Sequence, residues 1–108
     1  MHLGYKGINN IWLEGEEGDK LVEGYLNDLD ACKANNIDMV VMHITSKDKA
    51  PAPSMVGIKR LQKLADNLKN VNYLGHVILE SCYQNDYLNM SLDHFYKRSM
   101  ERAKQINL

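Results

Sequence analysis

Three side chains able to bind a metal or move a proton, His2, His43 and Glu80, stand at the expected C-terminal ends of strands: His43 and Glu80 come late in apolar runs, and His2 lies in an opening segment that reads as the end of a strand. In parallel α/β architectures the C-terminal ends of the strands carry the ligand site, because the strand ends splay and the loops that follow them converge there. Two imidazoles and a carboxylate at such an edge could hold zinc, manganese, magnesium or another divalent ion, leaving positions open for water or a substrate. Simpler readings remain open for two of them. His43 could close its strand on a backbone or loop partner. His2 lies next to a chain terminus, where residues are often poorly ordered. Glu80 follows Val77-Ile78-Leu79, and a carboxylate there has to be exposed, paired or metal-bound, since burying it alone is costly.

The other reactive types are less pointed. His76 opens a strand at the end opposite Glu80, and His94 lies in the first turn of a helix; both read as surface residues. Cys82 is two residues past Glu80 but has no assignable base nearby, so a packed thiol is the plainer reading. Trp12, Tyr83 and Tyr87 fall in expected loops on the ligand edge, where they could line a substrate pocket. The acidic stretch from Glu14 to Asp19 fits no calcium-loop spacing and reads as a solvated lead into a helix.

The elements that would position these residues follow from periodicity. Val22, Tyr25, Leu26, Leu29 and Cys32 recur at steps of three and four, which predicts an amphipathic helix from an Asp19 N-cap to a stop at Asn35-Asn36. Ile37 to Ile44 is too short for a helix and predicts a strand buried on both faces. Pro51 and Pro53 break the next loop, and Ser54 caps a second helix to about Asn70. On it Ile58, Leu61, Leu64, Ala65 and Leu68 share one face, Lys59, Arg60, Lys63 and Asp66 look to water, and Gly57 weakens the first turns slightly. Gly75 to Glu80 predicts another parallel strand. Ser91 then caps a third helix with a buried stripe of Leu92, Phe95, Ser99, Met100, Ala103 and Ile106.

Composition bounds the rest. The chain has 108 residues, 44% hydrophobic and 25% charged, which suits one soluble domain. Its 13 basic and 14 acidic residues give a net charge of −1, so no basic field invites a phosphate backbone, and nucleic acid is not an expected partner. No apolar run approaches the roughly 20 residues of a membrane span. The two cysteines lie far apart and no signal-type segment opens the chain, so the expected location is cytoplasmic.

The segments His2-Leu3-Gly4-Tyr5, Asp38 to Thr45, Gly57-Ile58-Lys59-Arg60-Leu61 and Tyr73 to Glu80 together resemble the sugar phosphate isomerase/epimerase family, which has the xylose isomerase-like TIM barrel and includes apurinic endonuclease-like relatives. Residues 1 to about 70 look like that family's stretch from the end of its second strand through its third helix, and those from about 71 onward like its last strand and helix. The resemblance implies Glu80 as the last-strand metal ligand, with catalytic weight, and matches His2 and His43 to metal-binding positions of the endonuclease-like branch. It also implies that the first βα unit and the middle strands, with their own carboxylate and histidine ligands, are missing. The expected fold over residues 1–108 is therefore a single partial (β/α) barrel of two to three parallel strands and three helices.

Such a sheet has an uncovered face and free edges, so completion by oligomerisation, most simply a homodimer, is expected. The implied function is a remnant of a divalent-metal-dependent enzyme acting on a sugar or sugar phosphate, inactive as an isolated chain because one carboxylate cannot serve as both acid and base. The alternatives are a non-catalytic assembly module and a metal phosphodiesterase, the latter opposed by the charge balance.

Overall fold

The computed structural model describes residues 1–46, 51–80 and 91–106. A 3-10 helix η1 (Ile8–Trp12) leads into α1 (Glu16–Ala34), followed by β1 (Met39–His43), α2 (Met55–Asn70), β2 (His76–Glu80) and α3 (Leu92–Gln105). The protein is mixed α/β, with three α-helices and a two-stranded parallel sheet among the described residues. Among the described residues the strands form an open sheet and do not close into a barrel. None of the described helices is long and apolar enough to cross a membrane.

Helix α1 begins one turn earlier than Asp19. Gly15 precedes it at φ 120°, and Glu16, Glu17 and Asp19 all lie in its first turn, where carboxylates favour the positive end of the helix dipole. Asp19 is therefore not the N-cap; its carboxylate is engaged by Arg60 instead. Val22, Tyr25, Leu29 and Cys32 form the buried face. In α2 the expected cap is present, Ser54 Oγ accepting from Gly57 N at 3.1 Å.

Both helices hand over to their strands through the same device. Asn36 (φ 55°) and Asn72 (φ 54°) adopt the left-handed conformation just past the helix ends. Ile37 N then donates to Cys32 O at 3.0 Å and Asn36 N to Lys33 O at 3.2 Å; Tyr73 N to Leu68 O at 2.9 Å and Asn72 N to Lys69 O at 3.1 Å repeat the arrangement. These paired bonds satisfy the last orphan carbonyls and turn the chain sharply into the sheet. Asparagine serves because its short polar side chain tolerates this region better than other non-glycine residues.

The two strands run parallel, with Val41 opposite Ile78 and His43 opposite Glu80. On the other edge of β1 the first residues add a parallel bridge between His2 and Val41, held by Leu3 N to Val41 O at 2.9 Å and Val41 N to Met1 O at 2.8 Å. Strand β1 is thus central. Its burial alternates: Val40 and Met42 are buried, whereas Met39 is exposed and Val41 and His43 are half-buried. Val40 and Met42 meet Leu29 of α1 and Leu61, Leu64 and Leu68 of α2 around a void of only about 20 Å³, so the core lies on one side of the sheet and is closely filled.

Three positions depart from expectation. Arg60 does not face water; its side chain is only 10% exposed. Met100 is 61% exposed, Ser99 and Ala103 are half-buried, and Ile106, just past α3, is buried; the side chains of Leu92 and Phe95 lie outside the described residues. Trp12, expected in a loop, ends η1, whose Ile8, Ile11 and Trp12 are buried.

Candidate functional site

The C-terminal edge of the sheet brings two of the expected ligands together. His2 is delivered by its bridge to Val41, and His43 ends the same strand two residues on, so both imidazoles leave the sheet on the face opposite the core. Their Nε2 atoms are 3.2 Å apart and their ring centroids 4.8 Å. His2 Nδ1 lies 3.2 Å from Leu3 O. A carbonyl can only accept, so Nδ1 carries the proton and His2 Nε2 presents its lone pair towards His43. Ligating histidines commonly have one ring nitrogen tied to a backbone carbonyl in this way. Between the two rings His43 Nε2 is then the donor. Glu80 is brought to the same edge by register, its Cα paired with that of His43.

Tyr5 completes the ring cluster. Its centroid lies 4.5 Å from that of His43 at an interplanar angle of 34°, and 6.3 Å from that of His2. It escaped the sequence reading of the site because a tyrosine three residues past His2 has no periodic signal; only the turn that follows folds it back. That turn is set by Gly7 at φ 75°, with Ile8 N donating to Tyr5 O at 3.1 Å.

Beside the cluster runs an open groove of about 760 Å³, with His2, Tyr5, Lys6, Asn9, Asn10 and Ser46 among its walls. Asn9 links those walls: its Nδ2 donates to Ser46 O at 2.7 Å and its Oδ1 accepts from Ser46 N at 2.9 Å, so a side chain acts as a strand would toward the loop after β1. Behind it, Arg60 donates to the carbonyls of Asn10, Ile11, Leu13 and Gly15 and to Asp19 Oδ1. Gly18 of α1 makes room for this, since a Cβ there would collide with the guanidinium. The segment carrying His2 and Tyr5 is anchored from below by Tyr25, whose hydroxyl donates to Gly4 O at 2.7 Å. Burial, with a smaller contribution from Asp28, pushes the Tyr25 hydroxyl up to about 12. Tyr73 OH, donating to Ile37 O at 2.7 Å, is raised as well, first by burial and then by Cys32 and Asp38.

Trp12 does not line the groove. It is 4% exposed, its Nε1 donates to Ile44 O at 2.7 Å and its carbonyl accepts from Ser54 Oγ at 2.6 Å, which makes it a core residue joining η1 to the loop after β1. The reason is an apolar ring with one polar tip and a satisfied partner inside. Gly57 lies flat against that ring, and a Cβ there would overlap it. Tyr83, Tyr87 and Cys82 lie outside the described residues, as does the side chain of Glu80.

The donor set suits a borderline metal. Zinc–imidazole bonds of about 2.0–2.1 Å at the tetrahedral angle put neighbouring nitrogens about 3.3 Å apart, and the two Nε2 atoms stand at 3.2 Å. Among the described residues no group of three or more His, Cys, Asp or Glu side chains gathers around one point, so the described part of the site is a pair. Comparison of the chain with protein-family models, with curated proteins and with solved structures finds no match, and the meaning of the site rests on its own geometry.

Proposed function

We propose that this chain is a metal-binding remnant of a sugar phosphate isomerase/epimerase-type barrel, in which ion binding outlives turnover. The observation that carries the reading is the His2–His43 pair, two imidazole nitrogens 3.2 Å apart at the C-terminal edge of parallel strands, with His2 held in the ligating tautomer. The barrel relationship draws support from three parallel backbone segments with α1 and α2 on one side, the layering of a (β/α) wall. On this reading Glu80, at the register position of His43, is the third ligand, and a sugar or sugar phosphate would approach through the groove beside Tyr5 and Lys6. A bound divalent ion would supply Lewis-acid polarisation of a carbonyl or hydroxyl. Proton transfer across that group needs two opposed acid/base side chains; among the described residues one carboxylate position, Glu80, falls at this edge, and on this reading the isolated chain does not turn over. A homodimer completing the sheet, in the cytoplasm, belongs to the same reading.

Titration of the apo protein with Zn²⁺ and Mn²⁺ by calorimetry tests it. Binding with a dissociation constant below about 10 μM, weakened at least tenfold in His43→Ala and in Glu80→Ala, is the expected result. Absence of binding by the folded protein would end the metal reading. The non-catalytic assembly module is favoured by a separate observation, the exposure of Met39 (46%) and Ile78 (43%) on the sheet face away from the helices.

A further inference from the structure

We infer that the ion is shared between two copies of this chain: His2 and His43 of each copy fill the two opposite edges of one tetrahedral shell, and zinc thereby drives dimerisation. The inference rests on the His2–His43 pair of the metal reading above; in the positions that reading gave to Glu80 and a substrate it places the second copy's pair.

Two independent features of the same face lead to it. The first is the ligand pair. One chain offers two nitrogens at the spacing of one tetrahedral edge, and a second chain related by a twofold axis through the ion offers an identical pair at the other edge. The second is the surface around that pair. Met39 (46% exposed) and Ile78 (43%) flank half-buried Val41 on the side of the sheet opposite α1 and α2, and Tyr5 (52%) lies against His43. Parallel sheets are stable when both faces are covered, and here the helices cover one. A second copy seated on the ion would cover the other at the same time, whereas a water or a small ligand would not. Isologous contact on this face would close the shell and shield the sheet together. Four imidazoles leave no coordination position for a substrate, which makes this a structural centre and explains how a site that has lost its catalytic partners could still contribute stability.

The test is the full chain with zinc chloride as the only added ligand, followed by light scattering after size exclusion and by calorimetric stoichiometry. In EDTA the expected mass is the 12.4 kDa of one chain; with zinc it doubles, with an inflection at one ion per two chains. His2→Gln and His43→Gln, checked for folding by circular dichroism, each abolish the doubling. Ile78→Asp, away from the ligands, weakens zinc-induced dimerisation at least tenfold. One ion per chain with the mass unchanged would overturn the inference while leaving the metal reading in place. A dimer already present in EDTA and indifferent to zinc would also overturn it. No zinc bound by the folded chain would remove both.

Discussion

Replacing Arg60 by alanine should be among the most damaging single substitutions in this protein, and the structure says why. The guanidinium, 10% exposed, holds four backbone carbonyls of the segment that runs from η1 into α1. Hydrogen bonds from a charged donor are each worth about 1.5–3 kcal/mol net, but four on one group do not add, because the loop relaxes and water reaches the outer carbonyls once the side chain is gone. Leaving a buried carbonyl without its donor costs about 1–3 kcal/mol, so the loss of the clamp should reach about 3–5 kcal/mol, a large share of the roughly 5–15 kcal/mol that holds a domain together. The ion pair is not the source: Asp19 is 74% exposed, so Asp19→Ala should cost about 1 kcal/mol or less. Arg60→Lys, which keeps the charge but not the planar fork, should fall between them at about 2 kcal/mol. Urea denaturation followed by circular dichroism and by the fluorescence of Trp12, the chain's single tryptophan, reads all three. If Asp19→Ala proves as costly as Arg60→Ala, or if Arg60→Ala stays within about 1 kcal/mol of the parent, the carbonyl clamp is not what holds this segment.

Gly57→Ala sets two principles against each other: helix propensity favours alanine by about 1 kcal/mol, whereas the new Cβ overlaps the Trp12 ring. Overpacking should win, with a loss of about 1–3 kcal/mol and a shifted Trp12 emission; a gain in thermal midpoint would count against the close contact. Tyr25→Phe should cost about 1 kcal/mol at neutral pH through loss of the bond to Gly4 O. The folded hydroxyl titrates near 12 rather than 10, so its contribution is full below pH 10 and is lost as pH rises through about 12. A chemical-denaturation series should therefore show the gap between parent and Tyr25→Phe closing across that window, and a gap that stays constant would refute the assignment. Cys32, with 0% exposure, should react with a thiol reagent only at the rate of opening or unfolding; immediate modification would contradict its placement.

Much of the local architecture was legible in the residues. The apolar spacing of Val22, Tyr25, Leu29 and Cys32 identifies the buried face of α1, Ser54 marks the start of α2, and the β-branched runs mark both strands. These are signals between residues a few positions apart, where the periods of helix and strand act directly. Arg60 shows the limit. By helical position it belongs with Lys59 and Lys63 on a charged face, and nothing near it in sequence says that the turn between η1 and α1 passes over that face and offers its carbonyls. Trp12 was misplaced for the same reason, since its partners Ile44, Ser54 and Gly57 are all distant in the chain.

The candidate site divides in the same way. Residue type and position late in an apolar run were enough to single out His43 and Glu80 as edge residues, whereas His2, with only Met1 before it, was singled out by residue type in an expected strand end. Pairing decided the rest: the parallel bridge of His2 to Val41 and the bond from its Nδ1 to Leu3 O bring two imidazoles to a spacing that suits one ion and orient a lone pair between them. Local sequence determines which way each side chain faces along its own element, because that follows from backbone geometry. Which faces meet, and whether a polar group finds a carbonyl or water, depends on contacts across the fold, and only the tertiary structure decides those.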